Sequence, residues 1–507
     1  MKDRLLKNET IFNLITGILT FVMQVGINFF LSPYIVKTLG EAANGFTQLA
    51  NNFVSYASLI TLAFNSMGGR FMTVHYHRHD LKKTNEYFSS ICMCNSVIIA
   101  LMITACIWII AKLDTIINLG NSNATDVRLL FCCVFINYFA GLVMSIYNMS
   151  MFVTNRIYIV NIVNAFRNVL NAIILFVLFS VLPAKMYYVS LSAMILSLAS
   201  IPIFRKLQRR TLPEVVFDRK LFSFSAIGEL LKSGLWNTLN QCGNMLMTGL
   251  DLLLANWFVS PVAMGVLSVS KTIPTAITSL AGVLNTSFAP SLTINWAKGN
   301  KDETIRTLRQ SMKISSVMIS LPVVLFCVYG VSFYRLWQPS LNPSQLSVLS
   351  ILTMAALIPF SGTQVLYNVF TSTNRLKWNS TTFLICGFLN TGIVYVLLKN
   401  TSLGVYAIAG TSSIVNIIRN LIFVLPYAAH LLGARWFIFY REVTLSLLYG
   451  VCVVIVSSVS QLIIAPNTWI TLVLSLILAG TASLGITWFV FLNKNERDML
   501  KRKVVKR

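Results

Sequence analysis

The sequence predicts an all-α polytopic membrane protein of about fourteen transmembrane helices, with two six-helix lobes as a parallel repeat plus two extra C-terminal helices. Three observations predict it. The 507 residues are 56% hydrophobic and 11% charged, with a mean hydropathy of +0.71. A soluble globular domain carries about 25% charged residues. The basic residues alternate between scarce and abundant from one gap between apolar runs to the next. The chain also matches itself at a nearly constant shift.

A span needs about 20 apolar residues. Runs of that kind fall near 11–36, 46–69, 87–111, 129–154, 157–181, 186–204, 233–258, 262–290, 314–334, 346–372, 378–398, 403–428, 438–463 and 468–492. Of the 40 Lys and Arg, 31 lie in alternate gaps counted from the amino terminus or, for Arg441, at the edge of one, six in the intervening gaps and three deep inside runs. Cytoplasmic gaps hold the basic excess. Both termini, 70–86 and 205–232 are therefore expected inside, and 112–128 outside. The same distribution gives the net charge of +24 a topological meaning and excludes nucleic acid as a partner. The cysteines lie mostly within apolar runs, as buried thiols do. The first run is long and no cleavage site follows it, so no cleaved signal is expected.

At a shift of 220, Ala43-Asn44-Gly45 falls on Ala263-Met264-Gly265, Asn65 on Asn285 and Thr73 on Thr293. At 219, Thr154-Asn155-Arg156 falls on Thr373-Asn374-Arg375, and Leu170-Asn171 on Leu389-Asn390. The repeat unit holds six spans, an even number, so the halves share orientation. The N-lobe is expected at 1–206 and the C-lobe at 232–437. A cytoplasmic basic amphipathic linker at 207–231 joins them, with Leu221, Phe224, Ile227 and Leu231 at the spacing of a short surface helix. Residues 438–493 hold the two extra helices, and 494–507 a basic cytoplasmic tail.

"RFMTVHYHRHD" places His75, His77 and His79 beside Asp80, which invites a metal site. The repeat argues otherwise: the counterparts are Asn295, Ala297 and Gly299. A headgroup-level loop is the expectation, with no metal and no cofactor. No phosphate-binding loop, H-E-x-x-H or pair of membrane carboxylates occurs, so an enzyme is not expected.

Ionisable groups at membrane depth are costly and mark pathways or partners. There are four: Arg167, Asp251, Lys271 and Arg419. Asp251 and Lys271 lie in the outer halves of spans seven and eight, where an ion pair is one reading. Arg167 and Arg419 lie in the inner halves of spans five and twelve. Amides recur on repeat-related helices: Asn13, Gln24, Asn28, Asn51, Asn52 and Asn65, then Asn237, Asn240, Gln241, Asn244 and Asn256. They are either hydrogen-bonding glue between helices or the lining of a hydrated cavity. Three cations against one anion suit an anionic substrate, with Asn28, Asn51, Asn240 and Gln241 as candidate sugar contacts.

"FNLITGILTFVMQVGINFFLSPYIVKTLGEAANGFTQLA", followed by "LAFNSMGGRF", resembles the opening of Wzx-type oligosaccharide flippases. These belong to the multidrug/oligosaccharidyl-lipid/polysaccharide (MOP) exporter superfamily. The resemblance implies a lumen lined by spans 1, 2, 7 and 8. It implies alternating access that moves an undecaprenyl-pyrophosphate-linked oligosaccharide from the inner to the outer leaflet of a bacterial cytoplasmic membrane, for surface polysaccharide synthesis. Expected partners are that lipid-linked oligosaccharide, membrane lipids, and a polysaccharide polymerase or glycosyltransferases; the chain is expected to act as a monomer. Span one lacks arginine, a departure from the peptidoglycan-precursor flippases. Asp251 in span seven keeps a cation-coupled drug or metabolite antiporter of the multidrug extrusion (MATE) type as the alternative, with Na+ or H+ as coupling ion. A lipid scramblase or a structural partner is a third reading.

Overall fold

The structure, a computed structural model, describes residues 2–373 and 375–491. The basic tail at 494–507 and Asn374 lie outside the described residues. Among those described there is no strand. Eleven helices are long and apolar enough to cross a membrane. The three other expected spans also fall on helical segments, each with a reason for missing that standard. The second is one helix that is rich in amides, and the seventh and tenth are interrupted.

Packing divides the chain into two units, Met1–Ser268 and Val269–Arg507. Unit 1 contains α1 (Lys2–Leu39), α2 (Glu41–His77), α3 (Leu81–Ala111), the single turn α4 (Leu113–Ile116), α5 (Ala124–Val153), α6 (Ile157–Val181), α7 (Tyr188–Thr211), α8 (Phe224–Asn244) and α9 (Asp251–Phe258). It also holds most of α10 (Pro261–Ser270). The division by packing falls after the seventh run because α8 lies along α2 within unit 1. A Cβ on Gly234 of α8 would overlap the Ala63 carbonyl of α2, so only glycine permits that approach. Near the other end of α2, Gly45 and Gly265, which the repeat relates, touch each other. A Cβ on Gly45 would sit 2.9 Å from the Gly265 amide nitrogen.

Unit 2 contains α11 (Thr272–Ala297), α12 (Lys301–Trp337), α13 (Pro343–Met354), α14 (Leu357–Phe360), α15 (Tyr367–Ser372), α16 (Leu376–Asn400), α17 (Val405–Arg419), α18 (Leu425–Leu431), α19 (Tyr440–Ile463) and α20 (Trp469–Ile486). The two extra C-terminal helices pack on α12 through polar groups. Arg309 Nε donates to Glu442 Oε1 at 2.7 Å, and the Tyr329 hydroxyl lies 2.7 Å from Ser475 Oγ. Small hydroxylated residues let helices approach closely where apolar burial drives nothing.

The linker departs from its expected form. No separate surface helix forms. After α7 the chain runs irregularly across the end of α3: Val216 N donates to Asn85 Oδ1, Asp218 N to Ser89 Oγ and Ser223 N to Ser90 Oγ, each at 3.0 Å. These three side chains satisfy backbone donors that a helix would have paired internally. Phe224, Ile227 and Leu231 instead form the first turns of α8, which continues into the seventh run.

Candidate functional site

The histidines do not converge. His75 Nδ1 lies 3.5 Å from Asp80 Oδ2 and its ring packs on Tyr87. His77 Nε2 lies 3.3 Å from the Val153 carbonyl. His79 ends α2 in the left-handed conformation, φ 61°, and its counterpart Gly299 has φ 70°. In both turns the following residue's amide bonds back over five residues, Asp80 to His75 at 3.0 Å and Asn300 to Asn295 at 3.3 Å. Asp80 and Asn300 then cap α3 and α12. The cluster is thus a helix-terminating turn.

The polar residues at membrane depth sort into two kinds. Some are glue. Asn13 Nδ2 donates to the Asn155 carbonyl at 2.8 Å, Asn65 and Asn95 exchange bonds at 3.2 and 3.0 Å, and Asn256 holds both amide and carbonyl of Asn118. Others form exposed rows. On α2, Gln48, Asn51, Ser55 and Ser66 are exposed on one side; on α8, Ser233, Asn237, Asn240, Gln241 and Asn244 are exposed at spacings of three and four. The α8 row borders the line along which it packs on α2. Asn28 on α1 is exposed as well. In unit 2, α11 carries Thr275, Thr278, Ser279 and Thr293 exposed on the corresponding side. The repeat places Ser55 on Thr275 and Asn51 on Lys271, so half-buried Lys271 heads the row of α11.

The seventh span breaks where unit 1 is most polar. A wide turn of π geometry, Met245–Gly249, joins α8 to α9. It frees the Gly249 carbonyl, which accepts from Asn52 Nδ2 at 3.0 Å and from the Tyr56 hydroxyl at 2.7 Å. Asp251 follows in the first turn of α9, 2% exposed, where the helix amino terminus favours a carboxylate. Such π turns recur at functional sites.

The two arginines join neither row. Arg419, 4% exposed, ends α17 before a second π turn, Asn420–Val424. Its Nη1 donates to the Tyr367 hydroxyl at 3.0 Å and its Nη2 to Asn379 Oδ1 at 2.6 Å; its guanidinium carbon lies 4.5 Å from the Phe383 ring centre. Arg167, half-buried on α6, has one polar contact among the described residues, to Met144 Sδ at 3.9 Å. Sequence reasoning missed Tyr56, Tyr367 and Asn379. One signal for Tyr367 was present: Tyr147-Asn148 falls on Tyr367-Asn368 at a shift of 220.

Spanning helices, a break beside a buried acid and polar rows at membrane depth define a multi-pass membrane transporter. Residues 8–296 match the polysaccharide biosynthesis protein family, and the chain belongs to it. It is 26% identical over 497 residues, 97% of either chain, to the uncharacterized membrane protein EpsK of Bacillus subtilis (strain 168). Its fold is similar to that of the lipid II flippase MurJ in an inward closed conformation, with TM-score 0.67 and 13% identity, covering 94% of this chain and 99% of that one. It is also similar to an inward-facing multidrug resistance MATE family transporter of the MOP superfamily. There the TM-score is 0.61 and the identity 14%, over 84% of this chain and 98% of the other. The fold is thus similar to that of a transporter of the MOP superfamily, the superfamily that the resemblance in the opening residues implied.

Proposed function

We propose that the protein is a flippase that carries an undecaprenyl-pyrophosphate-linked oligosaccharide from the inner to the outer leaflet, by alternating access, for surface polysaccharide synthesis. The observation that carries this reading is the exposed row of amides on α8 in unit 1. The hydroxyls of Ser55 and Ser66 on α2 and of Thr278, Ser279 and Thr293 on α11 bond to carbonyls of their own helices. The amides of Asn237, Asn240, Gln241 and Asn244 bond to no described residue and would be unsatisfied facing hydrocarbon, so the α8 row belongs to a hydrated path. Asn28, Asn51, Asn240 and Gln241 offer both donors and acceptors, as sugar hydroxyls require. Lys271 supplies a point charge for phosphate at the head of the α11 row. The family and the flippase among its structural neighbours support the substrate class. The prenyl tail stays in lipid while the head group crosses.

Replacing Asn240 and Gln241 together with Leu tests the path. Surface polysaccharide should fall at least tenfold at normal protein level, with lipid-linked intermediates accumulating inside. Unchanged export would remove the α8 row from the path. The second reading is a cation-coupled antiporter, favoured by buried Asp251 beside the break in span seven. It predicts that Asp251→Asn abolishes ion-driven efflux of organic cations while surface polysaccharide is unaffected.

A further inference from the structure

We propose that unit 1 contains an anion-binding site inside the membrane, built on α6 by Arg167 with Asn164 and Asn168. It would take a small inorganic anion or the phosphate of a lipid, chemistry shared by both. The site stands apart from the polar rows and does not depend on the transport reading.

Arg167 is the eleventh residue of α6, about 15 Å along the helix from its first residue. That depth is too great for its side chain to reach headgroup level. Yet among the described residues no acid offsets its charge. The helices packed on α6 are α1, α5 and α7. α1 has no acidic residue after Glu9, α5 none after Asp126, and α6 and α7 none at all. Asp126 lies at the opposite end of α5, 3.9 Å from Lys185. The thioether of Met144 is a weak acceptor that leaves the guanidinium's five donors essentially unspent.

α6 also shows where an anion would sit. Asn161, Asn164, Asn168 and Asn171 recur at spacings of three and four on one side, with Arg167 beside them. The outer two are spent: Asn161 Nδ2 donates to Thr16 Oγ1 at 3.2 Å, and Asn171 Oδ1 accepts from Ser192 Oγ at 2.6 Å. The middle two are half-buried, and their side-chain amides bond to no described residue. The lipid-exposed side of the helix is marked instead by Ile162, Phe166, Ile173 and Phe176, 50–71% exposed. Two amides that bond to no described residue and a guanidinium share the inward half of the helix, and their N–H donors far outnumber the two amide oxygens that could accept from them. A bound anion satisfies all three and neutralises the charge.

The test follows the melting temperature of the purified full-length protein at constant ionic strength. Sodium chloride replaces sodium gluconate in one arm and sodium pyrophosphate is titrated in a second. In a third, phosphatidylglycerol replaces phosphatidylcholine in the detergent micelles. The proposal expects a saturable rise in at least one arm, with half-saturation shifted about tenfold in Arg167→Gln and less in Arg167→Lys. A rise with chloride or pyrophosphate identifies a soluble anion; a rise with phosphatidylglycerol alone identifies a lipid phosphate. Asn164→Ala and Asn168→Ala report if Arg167→Gln fails to fold, and Arg419→Gln should leave the response unchanged. No rise in any arm, or the same half-saturation in the Arg167 and Asn variants, overturns the site.

Discussion

In unit 2 the guanidinium of Arg419 is clasped by Tyr367 and Asn379 and lies over Phe383, whereas in unit 1 that of Arg167 has a methionine sulfur as its one polar contact among the described residues. The two residues are not repeat counterparts, since Arg167 falls on Cys386 and Arg419 on Ser200. Their surroundings nevertheless correspond. Cys386 shares a side of α16 with Asn379 and Phe383, at i, i+4 and i+7. Met144, the contact of Arg167, lies one turn before Tyr147, the counterpart of Tyr367. Each half holds its arginine in a niche against neighbouring helices, delivered by α6 in unit 1 and by α17 in unit 2. In unit 2 the niche supplies its own acceptors, so the charge consolidates the fold. In unit 1 it does not, and the charge stays available.

The largest expected effect breaks this comparison if it fails. Arg419→Ala should destabilise the protein by about 2–4 kcal/mol, because it strands Asn379 and Tyr367 and leaves a void. Arg167→Ala should cost less than about 1 kcal/mol, since only a thioether contact is lost. Denaturation of the purified variants measures both, and equal losses would show that the niches do not differ. Next comes Lys271→Gln, which removes one charge-assisted contact worth roughly 1.5–3 kcal/mol. Surface polysaccharide should fall ten- to a hundredfold at normal expression. If Asp251→Asn restores export to Lys271→Gln, Lys271 served only to balance that acid.

A relocation experiment sharpens the comparison. Arg419→Ser installs the residue of its counterpart, and adding Cys386→Arg moves the charge to the helix that carries it in unit 1. The double variant should recover about half of the stability lost in Arg419→Ser, on the order of 1 kcal/mol. No recovery in the same denaturation assay would separate the two niches. The smallest effect concerns the turns the repeat shares. His79→Gly should stabilise by about 0.5–1 kcal/mol, because glycine adopts positive φ without penalty, and His79→Val should destabilise by a similar amount. Export should be unaffected by His79→Gly, and a loss restored by an added metal would return the histidines to the functional site.

Much of the architecture was legible because the bilayer imposes it. Spanning length, basic asymmetry and an even repeat are one-dimensional properties, and each leaves its mark on the linear sequence. The linker was misread because Leu221, Phe224, Ile227 and Leu231 have helical spacing whichever surface they meet. Asn85, Ser89 and Ser90, more than a hundred residues earlier, hold the backbone that precedes α8. The candidate site was half legible. Asn51, Asn240 and Gln241 announced themselves as amides in apolar runs. Asn13 and Asn65 looked the same in sequence and proved to be glue, since only a partner on another helix distinguishes the two cases.

By itself the sequence determined that the chain spans a membrane repeatedly, as two related halves with a few charges at depth. Those properties follow from the solvent, which acts on each segment separately. Only the tertiary structure decided which charges are spent. Whether both Nη atoms of Arg419 find oxygen acceptors while Arg167 meets a sulfur depends on Tyr367, Asn379 and Met144, residues 23 to 52 positions away. A hydrogen bond exists at about 3 Å or not at all, and no distance along the chain encodes that separation.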